Sequence, residues 1–151
     1  MAALFESRWN FPNGIGAIHG KRVLKQQPKK SHNSIILLAV FSPNYEVLWA
    51  DVGTNGRAPD GAIWQRSDFK RLLSSEEKEL NLPQPKPLPG REKQIPHVLT
   101  GDDAFGLTSY LMKPCPRSQL TNEQRIFNYR LSRMRRISEN GFGTLLRSPL
   151  L

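Results

Sequence analysis

The apolar residues of this chain gather into short stretches whose spacing changes character along the sequence, and that change predicts the elements. Ser34 to Phe41 (SIILLAVF) is a continuous apolar run, the pattern of a central strand buried on both faces. The turn SPN leads to Tyr45 to Gly53 (YEVLWADVG), a second strand with Tyr45, Val47 and Trp49 in partial alternation. Ala17 to Leu24 (AIHGKRVL) reads as a strand ahead of this pair, after a polar lead-in over residues 1–8. Past the glycine- and asparagine-rich loop TNGRAPDG the period becomes helical: Ile63, Phe69, Leu72 and Leu73 place a helix over 61–75, with Asp60 as its candidate N-cap.

Residues 78–96 carry Pro83, Pro85, Pro87, Pro89 and Pro96, which exclude helix and predict an extended internal loop. The apolar run IPHVLTGD then gives a strand ending at Asp102. The last element is a helix opening on a capping box, Thr121 with Gln124, and expected to stop at Gly141 and Gly143. Its apolar stripe is Phe127, Leu131, Met134 and Ile137; Arg125, Arg130, Arg133, Arg135 and Arg136 surround it, as a solvated face or, the better fit beside a carboxylate site, as contacts to nucleic-acid phosphates.

Composition narrows the class. The chain has 151 residues, enough for one domain with its own core, here expected over 9–151. Cys115 is its single cysteine, so no intrachain disulfide forms, and the first residues lack the order of a secretory signal. These features predict an intracellular protein, nuclear or cytoplasmic, without a membrane span. The net charge of +9 suits a nucleic-acid binder. It also suits many small basic proteins without a specific ligand.

Three strands, a helix, a strand and a closing helix is the order of the ribonuclease H-like fold, an α/β mixed sheet flanked by helices. Asp102 at a strand end and Glu139 on the last helix are the kind of paired carboxylates that hold divalent cations in nucleases. From spacing alone the plainer roles lead: Asp102 as an ordinary strand-end turn residue, and Glu139 as an i,i+4 partner of Arg135. Asp51 reads as a strand-edge residue, and His32 and His97 as loop and strand residues. Cys115, between prolines, has no nearby base and is not read as a nucleophile.

The stretches NFPNGIGAIHGK, SIILLAV, DVGTNGRAPDGAIWQRSDF, KPLPGREKQIPHVLTGDDAF, LMKP and LTNEQRIFNYRLSRMRRISENGFG resemble the DDE nucleases of PIF/Harbinger transposons and their domesticated derivatives. The resemblance implies a divalent metal, Mg²⁺ or Mn²⁺, and DNA as substrate for cleavage and strand transfer. It implies that Asp102 and Glu139 are catalytic and that Asp60 lies near the metal. It also places His19 where the family has its first catalytic Asp. Imidazole is a neutral nitrogen donor and cannot bridge two ions as a carboxylate does, so two-metal catalysis is expected to be weakened or lost. His19 could instead hold a softer ion with Asp102 and Glu139.

Relative to that family the chain is shorter between Pro28 and Ser34, lacks the amino-terminal helical region, and ends soon after Glu139, so a shortened catalytic core is expected. The alternatives are a non-enzymatic module that binds DNA or protein through the arginine helix and the basic loop Lys25 to Lys30, and a transposon remnant without function.

Overall fold

β-branched and leucine side chains crowd SIILLAVF so densely that both its faces must be covered, and the fold is arranged around it. The computed structural model describes residues 1–24, 34–55, 57–75 and 80–147. Strand β1 (Gly14–Leu24) pairs antiparallel with β2 (Ser34–Phe41), which pairs antiparallel with β3 (Val47–Asn55). Two short strands, β4 (Lys86–Pro87) and β5 (Gln94–Ile95), form a small separate hairpin inside the proline-rich segment. β6 (Val98–Thr100) and β7 (Leu111–Met112) then join the main sheet in parallel, giving the order β3-β2-β1-β6-β7.

The pleat sorts the side chains of β2. Leu37, Ala39 and Phe41 face a core shared with α1 (Ala2–Trp9), while Ile36, Leu38 and Val40 face a core shared with α2 (Asp60–Arg66). Beside α2 lies α3 (Asp68–Ser74), and the α1 face is completed by α4 (Asn122–Leu145). This mixed five-stranded sheet flanked by helices is an α/β architecture consistent with the ribonuclease H-like fold.

Several elements differ from the sequence expectation. The polar lead-in forms α1, because Phe5 is wholly buried in the α4-side core and ties the segment down. The helix expected over 61–75 is two helices. Ser67 between them is extended (φ −70°, ψ 144°); its hydroxyl donates to the Trp64 carbonyl (2.8 Å) and accepts from the Lys70 amide (3.1 Å), ending one helix and capping the next. Asp60 is not a side-chain N-cap. Pro59 holds that place and Asp60 is the first helical residue.

The capping box of α4 forms as expected: the Gln124 amide donates to the Thr121 hydroxyl and the Thr121 amide to the Gln124 side chain. The helix nevertheless runs through both glycines to Leu145. Gly141 lies against the Phe41 ring, where a Cβ would collide, so its value is close packing rather than termination. Within the proline-rich segment, Asn13 stabilises the hairpin by donating from its side-chain nitrogen to the Lys86 and Ile95 carbonyls. His32 and the basic loop Lys25 to Lys30 lie outside the described residues.

Candidate metal centre

The parallel pairing of β1 with β6 sets the heart of the site. Ala17 is level with Thr100, so His19, two residues further along β1, comes alongside Asp102, two residues past the end of β6, and His19 Nδ1 lies 3.6 Å from Asp102 Oδ2. His19 shares the face of Ala17 and turns toward α4, where its ring meets Phe142 edge-on with centroids 5.9 Å apart. Asp102 begins a tight turn: its Oδ1 accepts from the Ala104 amide (2.9 Å) and its carbonyl from the Phe105 amide (3.2 Å). Phe105 is buried against Trp64 of α2, which couples this turn to the helix that carries Asp60.

Asp60 arrives from the opposite face of the sheet. Its carboxylate occupies the space a side chain at position 20 would fill, and it accepts a hydrogen bond from the Gly20 amide. One residue on, Gly61 lets the start of α2 approach the Ala104 carbonyl, again where a Cβ would collide. The dipeptide His19-Gly20 thus presents a ligand to one face and a vacancy for a carboxylate to the other. Each of His19, Asp60 and Asp102 offers one ligand atom, and these atoms all lie within 4.8 Å of one another. Such a one-nitrogen, two-oxygen group has the donor chemistry to hold a divalent cation.

The two aspartates are electrostatically unlike. Burial pushes the Asp60 carboxyl above its ordinary range, an effect that His19 opposes and the neighbouring Asp102 charge reinforces. The ring N–H of His19 directed at Asp102 holds that carboxyl below its ordinary range despite burial, helped by the Ala104 amide and the Arg135 guanidinium. Arg135 Nη2 lies 3.9 Å from Asp102 Oδ2, so α4 contributes a cation to the site. Arg135 was expected among the phosphate-binding arginines; here its nearest acid is Asp102.

Glu139 stands apart from this group. It is exposed on α4, outside the buried stripe of Leu131, Met134, Ile137, Ser138, Gly141 and Phe142, beside a shallow depression lined by Asn140, Gly143, Thr144 and Arg147. Arg125, Arg130 and Arg136 are exposed on the same helix, and Arg133 is partly so. His97 is buried just before β6, its pKa lowered chiefly by burial, and is remote from the group. Sequence patterns did not single out Gly20, Gly61 or Ala104, whose roles are backbone approach and an amide. The turn-forming run GDDA was the available signal for Ala104.

Among the described residues no helix is long and apolar enough to cross a membrane. No curated protein and no solved structure matches the chain. The family model of the DDE superfamily endonucleases matches residues 21–147 and so begins two residues past His19. A match over most of the chain, on a mixed sheet that gathers acidic side chains at one strand end, places the protein in the DDE superfamily of endonucleases.

Proposed function

We propose that this chain is a DDE nuclease domain of the PIF/Harbinger transposase lineage, which binds DNA and one divalent cation and in which cleavage is weakened or lost. The observation that carries the reading is His19 beside Asp102, where the resemblance calls for a carboxylate. A divalent cation held by His19, Asp60 and Asp102 would polarise a scissile phosphate and activate water for in-line attack. Asp102, kept ionised by its neighbours, is the anchoring ligand. Glu139 is the remaining carboxylate that the resemblance assigns to catalysis, and from its exposed position it would have to turn toward Asp102 to take part.

Arg125, Arg130, Arg133 and Arg136 would neutralise backbone phosphates, positioning DNA without reading its sequence. The substrate class is therefore DNA, and the compartment nuclear or cytoplasmic. A nicking assay with Mg²⁺ or Mn²⁺ tests the reading. The unmodified chain should nick supercoiled DNA slowly or not at all, and His19→Asp should gain activity; vigorous nicking by the unmodified chain sinks the claim of weakened cleavage.

A second reading is a non-enzymatic DNA-binding module. The contact between Arg135 and Asp102 favours it, because a fixed cation beside the carboxylate partly neutralises the site without metal. It requires affinity for DNA that falls steeply with salt and is unchanged by chelators. Binding that is flat between low and moderate salt excludes it.

A further inference from the structure

The identity of the cation follows from the donor set rather than from the family. We infer that His19, Asp60 and Asp102 form a site selective for a borderline first-row ion such as Zn²⁺ over Mg²⁺; this rests on the divalent-metal reading of the same group. Three observations carry it. First, the ligands are one imidazole nitrogen and two carboxylates, and Glu139 is not among them. Mg²⁺ prefers six oxygens in octahedral geometry, whereas imidazole bonds well to Zn²⁺ and its neighbours.

Second, each carboxylate has an oxygen or a backbone donor that limits it. Asp102 Oδ1 accepts from the Ala104 amide, leaving Oδ2 toward His19, and Asp60 accepts from the Gly20 amide. Three single-atom ligands on a group only partly exposed, with His19 at 27% and Asp102 at 22%, leave room for a water as the fourth. That is the composition of a catalytic zinc site.

Third, Arg135 sits 3.9 Å from Asp102 Oδ2. Its charge repels every divalent ion alike, so the ion that also gains a bond to the imidazole nitrogen is the one better able to offset that cost.

The test is metal titration of the full chain after chelator treatment, using Zn²⁺, Co²⁺ and Mg²⁺ by calorimetry, with Co²⁺ also followed by visible absorption. One equivalent of Zn²⁺ should bind at least about 100-fold more tightly than Mg²⁺, and Co²⁺ should give the intense bands of a four-coordinate site. His19→Ala and Asp60→Asn should each abolish the bands, and His19→Asp should shift preference toward Mg²⁺. Far-UV circular dichroism checks that each variant folds; if His19→Ala does not, His19→Gln and Asp60→Asn decide the matter. Mg²⁺ binding as tightly as Zn²⁺ overturns the preference and leaves the nuclease reading standing. Zn²⁺ binding that survives both ligand substitutions overturns the assigned site. Failure of every ion to bind the unmodified chain overturns the preference and the divalent-metal reading together.

Discussion

The two faces of the central sheet are built in different ways. On one face a single 24-residue helix, α4, buries Leu131, Met134, Ile137 and Phe142 completely against β1 and β2. On the other, two seven-residue helices are held by an aromatic cluster in which Trp49 stacks on Phe69 at 5.3 Å and Trp64 meets Phe69 and Phe105 edge-on. A helix of six turns with a capping box has substantial order of its own, whereas helices of two turns depend on tertiary contact. The metal-ligand group takes His19 from the α4 side, Asp60 from the α2 side, and Asp102 from the strand end between them. Its geometry is therefore as secure as the weaker face.

Truncating one large side chain on each face separates the two contributions. Trp64→Ala should cost about 3–5 kcal/mol, and Met134→Ala about 2–5 kcal/mol, both by opening a cavity in a filled core. Urea denaturation measures both. The contrast lies in metal affinity of the folded variants: Trp64→Ala disturbs α2 and the Asp102 turn through Phe105, while Met134 packs near Gly14, away from the ligands. Only the first should weaken metal binding; equal weakening by both would show that the faces are not separable.

Glycines sharpen the same contrast at smaller cost. Gly141→Ala would drive a methyl into the buried Phe41 ring and should destabilise by about 1–3 kcal/mol without altering metal affinity. Gly20→Ala would collide with the Asp60 carboxylate, the end of a short side chain that can rotate away. It should leave stability within about 1 kcal/mol and lower metal affinity about 10-fold or more, as displacing a supporting contact does. Calorimetric titration beside thermal melts distinguishes the two.

Legibility follows the same division. β2 was readable to the residue, because an unbroken apolar run has one economical explanation, and α4 was readable from its stripe and its Thr121–Gln124 box. The break at Ser67 was not, because the apolar period continues across it and only the serine's competing hydrogen bonds divide the helix. α1 was missed since a single buried phenylalanine, Phe5, fixes it, and β7 because two residues carry no periodicity. Asp102 was legible as a strand-end carboxylate. His19 and Asp60 were placed beside it by the resemblance rather than by spacing, and that Glu139 does not join them follows from its place on the exposed side of α4, which the resemblance did not convey.

The unlike aspartates make the comparison measurable by pH, in the presence of chelator. Asp60 has a folded pKa raised above 3.8, so its contribution to stability is fully present below that value and is lost as pH rises through the folded pKa. Asp102 has a folded pKa lowered below 3.8, so its contribution is present above that value and is lost as pH falls through the folded pKa. Asp60→Asn should therefore remove a decline in melting temperature above pH 3.8 and raise the melting temperature of the metal-free protein at neutral pH. Asp102→Asn should lower it, by up to about 1 kcal/mol of stability as the loss of a partly exposed ion pair does, leaving Arg135 without its anion, and should abolish part of the acid-side loss. Melting curves that move in the same direction for both substitutions would contradict the opposed environments.

The smallest effect tests whether α4 is ordered from its own amino-terminal end or only by its packing near the site. Thr121→Ala removes the hydroxyl that accepts from the Gln124 amide at 3.3 Å and leaves that exposed first turn with one more unpaired donor. The expected loss is about 0.5–1 kcal/mol, with fraying confined to the first turn. Arg135, Ser138 and Phe142 lie more than three turns further along, where the helix is held by the sheet, so metal affinity should be unchanged. Hydrogen exchange would locate the fraying: faster exchange at residues 123–126 alone keeps the site end independent of the cap, whereas acceleration reaching Phe142 would mean that α4 opens as one unit.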